Sequence, residues 1–417
     1  MAAPVAPGVS SAIMTEILDA YVYDGARSAF GRQGGALAAL RPDDLLAHVL
    51  KTLVARNAFP GAAYEDVIIG NTNQAGEDCR NVGRFAALLA GLPASVGGLT
   101  VNRLCGSGLA AVLDAARGVK CREGGLFIAG GVESMSRAPL ILSKATSAYD
   151  RGQQLADSTL GARFTNPRFA AAFGSDTMPQ TADNIARELG ISRVDSDAFA
   201  ALSQARYELA RVAGFFQGEI IPTEVPQGRK QPSLVVSEDE HPRPESTLQA
   251  LERLSPLFDG GVVTAGNASG INDGAAALII GNRAIGEARG ARPRARLVAG
   301  AIAGVEPRLM GLGPVFAARK ALARAGLTLG DMDVIEINEA FATQVLGCLR
   351  QLGVDFADPR VNPNGGAIAV GHPLGASGAR LVLTALRQLE RTGGHFALVS
   401  LCIGIGQGVA VIIERLK

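Results

Sequence analysis

The sequence predicts an α/β protein made of two similar halves, with an insertion carried by the first. Two observations lead there. Short apolar runs alternate with longer Ala/Leu-rich stretches of helical spacing, the pattern of buried strands between helices. Three segments also recur in the same order. Asp66-Val67-Ile68-Ile69-Gly70-Asn71 resembles Asp333-Val334-Ile335-Glu336-Ile337-Asn338, an offset of 333 − 66 = 267. Val101-Asn102, leading to a glycine turn and a helix, resembles Val361-Asn362 at an offset of 260, and Gly125 to Gly131 parallels His395 to Ser400, ahead of Cys402, at about 270. Three such pairs in order point to an internal duplication.

Taken in chain order, residues 1–13 are rich in small residues and lack a basic n-region, so they read as an extension and not as a secretory signal. Val67 to Ile69, Leu99 to Val101, Leu126 to Ala129, Val334 to Ile337 and Val409 to Ile413 read as strands. Leu109 to Val119 and Ala379 to Leu389 read as helices. Between the copies the texture changes: residues 142–261 hold several prolines, the basic pair Arg229-Lys230 and the acidic run Ser237-Glu238-Asp239-Glu240. This stretch reads as an insertion or lid, and the acidic run as a solvated loop.

Composition narrows the functional class. A chain of 417 residues has ample capacity for a core, and 47% of them are hydrophobic, which argues against disorder. Lys plus Arg is 40 against Asp plus Glu 39, so no whole-protein field favours nucleic acid or an anionic membrane. The five cysteines are widely spread and only four histidines are present, with no CxxC or mixed His/Cys cluster. A disulfide framework or structural zinc is therefore not expected, and a reducing, cytoplasmic setting is favoured. No apolar stretch is long enough for a transmembrane helix.

Five segments can carry chemistry. In Val101-Asn102-Arg103-Leu104-Cys105-Gly106-Ser107-Gly108 a strand ends, a cysteine sits at the turn and a helix begins. A free thiol is only roughly 3% ionised at pH 7, and a helix N-terminus favours the thiolate. A nucleophile and a buried structural cysteine both fit that segment taken alone. His372 lies between Gly371 and Pro373 at a helix entrance, a rigid placement suited to a base. Cys402-Ile403-Gly404-Ile405-Gly406-Gln407-Gly408 alternates glycines but is followed by a strand and no ribose-binding acid, so a glycine-rich turn is read there and not a dinucleotide loop. Asn338-Glu339-Ala340-Phe341-Ala342 follows a strand, and Thr264 to Gly274 is a small polar loop before one. Either can be turn chemistry alone.

Together these residues resemble the thiolase family of acyl-CoA acyltransferases, over essentially the whole chain from Met14. The family's nucleophile motif is similar to Asn102 to Gly108, its Asn-Glu-Ala-Phe motif to Asn338 to Phe341, its Gly-His-Pro motif to Gly371 to Pro373, and its terminal Cys-x-Gly motif to Cys402 to Gly404. The resemblance implies duplicated βαβαβαββ halves in a five-layer α/β/α/β/α core with an inserted loop domain. The halves would span 14–141 with 262–285, and 286–417, and the coenzyme A-binding loop domain 142–261.

The resemblance also implies roles. Cys105 would carry the acyl thioester, His372 would deprotonate it, and Cys402 would exchange the proton at the acetyl-CoA α-carbon. Asn338 would orient a water beside His372, and the backbone N–H groups of Cys105 and Gly404 would form a second oxyanion site. Arg243, Ser269 and Met178 would contact coenzyme A. No permanent cofactor or metal is implied, and the partners would be CoA thioesters and copies of the chain itself, as a homodimer or homotetramer.

The motif details bear on substrate. Thr177 stands before Met178 where small-substrate acetoacetyl-CoA thiolases usually carry His, and Gln407 stands where many biosynthetic members carry Met. Asn73 to Asp78, Gly131 to Pro139 and Arg163 to Pro167 look most like the 3-oxoadipyl-CoA thiolases of aromatic-compound degradation. The fatty-acid β-oxidation and acetoacetyl-CoA thiolases are the alternative substrate classes. A decarboxylating condensing enzyme would use Cys with two His, and a non-catalytic acyl-CoA-binding relative would not need Cys105, His372 and Cys402 together.

Overall fold

A computed structural model describes residues 18–228 and 231–417 of the chain. The extension at 1–13, Met14 and the Arg229-Lys230 pair lie outside the described residues.

The duplication is written into one eleven-stranded sheet. Outward from its middle, the first half runs Ala20–Ser28, Asn272–Gly281, Leu126–Ser134, Asp66–Gly70; the second runs Ala295–Gly304, Gln407–Arg415, Phe396–Ile403, Val334–Ile337. Strand directions match as well. Asp66–Gly70 and Leu126–Ser134 are parallel, as are Val334–Ile337 and Phe396–Ile403, and the other neighbours among the four strands named for each half are antiparallel. The halves join where Ala20–Ser28 meets Ala295–Gly304 antiparallel.

Period-two alternation sorts the strand residues into layers. Ala276, Leu278 and Ile280 face the central core, whereas Ala275, Ala277 and Ile279 face an outer one. In the second half Val409, Val411 and Ile413 face the centre, and Ala410 and Ile412 face the other outer core. The central layer is filled by two helices, Ser107–Cys121 and Leu374–Thr392. Pro42–Ala55 with Val82–Leu89 covers one outside face, and Gly313–Ala325 with Ala342–Leu352 the other. These are the five layers the resemblance implied. Truncating a wholly buried leucine of the central helix, such as Leu383, costs about 2–5 kcal/mol.

The two central helices begin side by side, and glycines permit it. A Cβ on Gly108 would lie 2.5 Å from the Gly375 carbonyl oxygen, and one on Gly378 would lie 2.1 Å from the Leu109 nitrogen. Both helix N-termini therefore open at one place.

The segment 142–261 is more helical than its polar texture suggests, with Met178–Leu189 and the twenty-residue helix Arg193–Val212. That longer helix packs on the second half: Ser203 donates to Glu339 at 2.7 Å and Arg206 to the Val361 carbonyl at 2.5 Å. The strand Leu140–Leu142 pairs with Leu155–Asp157, so residue 142 falls within a ladder. The acidic run is solvated only in part: Ser237 and Glu238 are exposed, but the Asp239 side chain is buried. Asp239 accepts from both Arg27 terminal nitrogens, from the Phe30 N–H and from Tyr207. Arg27 is fully buried, and Asp239 and Glu219 are its counter-charges. Among the described residues no helix is long and apolar enough to cross a membrane.

Candidate active site

Cys105 sits in the turn between Leu99–Val101 and the Ser107 helix. Leu104 just before it has φ of 47°, a left-handed conformation that costs a side-chain-bearing residue about 1–2 kcal/mol. The turn is tied to bear it. Asn102 Oδ1 accepts from the Leu104 N–H at 2.9 Å, while Ser107 Oγ accepts from the Arg103 N–H at 2.8 Å and donates to the Leu104 carbonyl at 2.6 Å. Cys105 as a whole is half-buried, but its sulfur is desolvated, and that burial pushes the thiol up to about 11. The backbone N–H groups of Gly404 and of Cys105 itself pull the other way, and Glu133 adds a small upward push. Desolvation of the sulfur outweighs these two N–H groups, so burial opposes the thiolate that the helix N-terminus favours.

His372 occupies the matching place in the second half. Cys105 and His372 each stand two residues before a central helix, and 372 − 105 = 267 repeats the offset of the duplicated strands. Gly371 has φ of +105°, and a Cβ there would lie 2.6 Å from Asn272 Cγ. Asn272 needs that space, because its Oδ1 accepts from the His372 N–H at 2.9 Å while its Nδ2 donates to the Gly31 carbonyl at 2.9 Å. The imidazole is gripped at both nitrogens. Ser377 Oγ lies 2.6 Å from Nδ1 and donates to the Pro373 carbonyl at 3.0 Å, so it accepts the proton of Nδ1–H. Nε2 then keeps its lone pair, toward which Asn338 Nδ2 donates at 3.3 Å. Burial first, and then the Arg380 charge, lower His372 to about 3. The resting imidazole is neutral.

Asn338 follows the strand Val334–Ile337, and its N–H donates to the Ser400 carbonyl at 2.9 Å. Its Oδ1 is buried with no protein partner, an acceptor left open beside His372. Cys402 lies near the end of Phe396–Ile403, 1% exposed, among Ala182, Val263, Met310, Ala340 and Phe341, with Met178 and Ala268 alongside. Burial and the neighbouring Cys105 both raise its thiol well above the ordinary range. The tight hairpin after it, with Ile405 and Gly406 both at positive φ, brings Gly404 against Leu104 and Met178. Cys105, Gly404, Cys402, Asn338, His372 and Met178 therefore share one site.

Ser269 borders it, since its N–H donates to the Ala340 carbonyl at 3.0 Å. Arg243 is one segment removed. Its N–H donates to Gln204 Oε1 at 2.9 Å, its guanidinium rests on the His241 and Pro242 carbonyls, and His241 packs on Gly270. Thr177 is exposed, and its N–H and hydroxyl both donate to Gln180 Oε1 at the start of Met178–Leu189. Sequence reasoning missed Ser377, the role of Asn272 and Glu133. The last accepts N–H bonds from Thr72, Asn73 and Gly375 across the two halves, and burial raises it to about 7. Among the described residues no cluster of three or more His, Cys, Asp or Glu could hold a metal ion.

Residues 20–284 match the family description "Thiolase, N-terminal domain" and residues 291–415 "Thiolase, C-terminal domain". The chain is 56% identical over 399 residues to the "3-oxoadipyl-CoA/3-oxo-5,6-dehydrosuberyl-CoA thiolase" of Escherichia coli (strain K12), covering 95% of this chain and 99% of that protein. A "Beta-ketoadipyl-CoA thiolase" of Pseudomonas aeruginosa is 56% identical over 401 residues, with the same coverage of 95% and 99%. The solved structure of human mitochondrial 3-ketoacyl-CoA thiolase in complex with CoA superposes with a TM-score of 0.88 at 38% identity, covering 96% of this chain and 99% of that one.

Proposed function

The chain belongs to the thiolase family, and from that premise we propose that it cleaves 3-oxoadipyl-CoA with coenzyme A to succinyl-CoA and acetyl-CoA, or runs the reverse condensation. It is an acyltransferase. The observation that carries the substrate is the 56% identity, over 95% of the chain, to a thiolase named for 3-oxoadipyl-CoA.

In the first half-reaction Cys105 sulfur attacks the 3-oxo carbon while His372 Nε2 takes the thiol proton. The tetrahedral oxyanion needs donors fixed in advance, and the Cys105 and Gly404 N–H groups or the Asn338–His372 side would supply them. Collapse breaks the bond between C2 and C3, leaving a succinyl thioester on Cys105 and an enolate on acetyl-CoA. Cys402 protonates that carbon, and acetyl-CoA leaves. His372 then returns its proton to the Cys402 thiolate, so both groups are restored. In the second half-reaction the coenzyme A thiol gives its proton to His372 and attacks the thioester, and the expelled Cys105 thiolate takes that proton back as succinyl-CoA leaves. Asn338 Oδ1, unpartnered in the protein, is suited to hold a water beside Nε2. With Nδ1–H held by Ser377 the neutral imidazole offers its Nε2 lone pair to the proton, and a high thiol pKa at Cys402 makes its thiolate a strong enough base to work on carbon.

Coenzyme A would lie along Met178, Ser269 and Arg243, with residues 142–261 as its cradle. The chemistry draws on two thiols and one imidazole and assigns no role to a resident cofactor. The chain acts as a homodimer or homotetramer in the cytoplasm; the exposed edge strand Leu99–Val101 and the exposed Phe85, Leu88 and Leu89 of its neighbouring helix favour self-association. Assaying 3-oxoadipyl-CoA, acetoacetyl-CoA and a medium-chain 3-oxoacyl-CoA side by side tests the substrate. A higher kcat/KM for either of the last two returns the chain to the corresponding alternative class.

A further inference from the structure

The chain reaches His372 through a four-residue helix, Ala367–Val370, that breaks at Gly371. A helix this short has little stability of its own, so its direction is set by what ties it down. The Val370 N–H donates to the Gly366 carbonyl and the Gly371 N–H to the Ala367 carbonyl, each at 2.9 Å. The next bond in that series would run from the His372 N–H to the Ile368 carbonyl, four residues back. Gly371, at φ of +105°, turns the chain away from it, and the two groups take different partners. The His372 N–H donates to Asn272 Oδ1 at 2.9 Å, and the Ile368 carbonyl accepts from Gln204 Nε2 at 3.2 Å. Gln204 lies on the insertion helix Arg193–Val212 and is 6% exposed. Its amide can face only one way: the Arg243 N–H takes Oε1 at 2.9 Å, which leaves Nε2 for the carbonyl.

We infer that Gln204 is a positioning residue for His372: its amide takes the place of the helix bond given up at Gly371 and so fixes the direction in which the imidazole leaves the short helix. This rests on His372 acting as the base. Ser203, the residue before it, secures the other end of the same helix. Its Oγ accepts from the Gly366 N–H at 3.1 Å and donates to Glu339, whose Oε2 also accepts from the Ile368 N–H at 3.1 Å. A tie that served stability alone could meet the short helix anywhere. This one meets it at the carbonyl that the His372 N–H would otherwise bond. Without Gln204, that buried carbonyl competes with Asn272 Oδ1 for the His372 N–H and pulls the ring off its line to Cys105. A misplacement of about 1 Å in a reacting group costs roughly 100-fold in rate.

The experiment compares the full-length wild type with Gln204→Met, which keeps the volume but neither polar end, and with Gln204→Asn, whose amide is too short to reach both partners. Phe199→Leu is the control, because Phe199 is buried on the same helix but packs in the outer core of the second half. For each protein kcat and KM are measured on whichever of the three 3-oxoacyl-CoA substrates the wild type cleaves fastest. Tm and hydrogen exchange of the peptide spanning 367–372 are read beside them. In Gln204→Met kcat should fall roughly 10- to 100-fold and exchange in that peptide should quicken, while KM for coenzyme A stays within about threefold. Gln204→Asn should move the same way. Phe199→Leu should lose Tm through core packing but keep kcat within about twofold and leave that peptide as protected as in the wild type. A folded Gln204→Met with wild-type kcat overturns the inference, and so does an equal loss of kcat in Phe199→Leu at equal loss of Tm. Should Gln204→Met fail to fold, Gln204→Asn is judged by the same two results. A fully active His372→Asn would instead overturn the base assignment beneath it.

Discussion

Removing the Ser377 hydroxyl tests how the imidazole is held. Ser377 Oγ is the acceptor for Nδ1–H at 2.6 Å, and both groups are buried. In Ser377→Ala the ring has two choices. It can keep its proton on Nδ1 without an acceptor, at a cost of about 1–3 kcal/mol, or move it to Nε2 and lose the lone pair that takes the thiol proton. Either choice subtracts the same energy from the reactive state, so kcat should fall about 5- to 150-fold. The binding surface is untouched, so KM for coenzyme A should stay within about threefold of wild type. The fold loses the hydroxyl contact to the Pro373 carbonyl and strands the Nδ1 donor, together about 2–4 kcal/mol, and Tm should drop by about 2–5 °C. Steady-state thiolysis beside thermal unfolding reads all three quantities. A variant with wild-type kcat would show that the Nδ1 contact does not set the tautomer.

Other consequences concern separate parts of the molecule. Cys105→Ser should abolish labelled coenzyme A exchange and thiolysis alike, whereas Cys402→Ser should spare exchange and slow thiolysis about 10²–10⁴-fold; equal loss of both in a folded Cys402→Ser would refute the division of labour. Arg243→Ala should weaken coenzyme A binding roughly 10- to 150-fold with kcat nearly intact, and an unchanged KM removes Arg243 from the site. His372 is neutral when folded down to about pH 3 but binds a proton near 6.5 when unfolded, so acid favours the unfolded state between those values. Denaturant unfolding between pH 6 and 4.5 should therefore show wild type losing up to about 1.4 kcal/mol per pH unit more than His372→Gln; parallel losses contradict this. Asp239→Asn should cost about 3–5 kcal/mol of stability by leaving buried Arg27 undercompensated, a shift that urea midpoints would register.

Much of this was legible because the reacting residues sit where backbone needs are unusual. Cys105 and His372 are flanked by Gly106, Gly108, Gly371 and Pro373, and those neighbours announce a constrained turn. The duplication was visible since buried strands tolerate few residue types, so Asp66 to Asn71 and Asp333 to Asn338 kept their likeness. Ser377 was hidden in a run of small residues, Gly375-Ala376-Ser377-Gly378-Ala379, where one hydroxyl carries no signal of its own. Asp239 looked solvated because its partner, Arg27, lies 212 residues away. The burial of the Cys105 sulfur was hidden for a related reason. The helix N-terminus is local and readable, whereas the burial that raises the thiol is a product of tertiary packing.

The central claim is that 3-oxoadipyl-CoA is cleaved through an acyl group carried on Cys105. Its most direct measurement mixes the enzyme with 3-oxoadipyl-CoA in the absence of free coenzyme A, quenches with acid and maps the adduct by peptide mass spectrometry. With no acceptor thiol the second half-reaction cannot proceed, so acetyl-CoA should appear in amounts matching the enzyme, with a succinyl group on the peptide that holds Cys105. Acetyl-CoA release with that peptide unmodified, or a succinyl group found on Cys402 instead, would contradict the account.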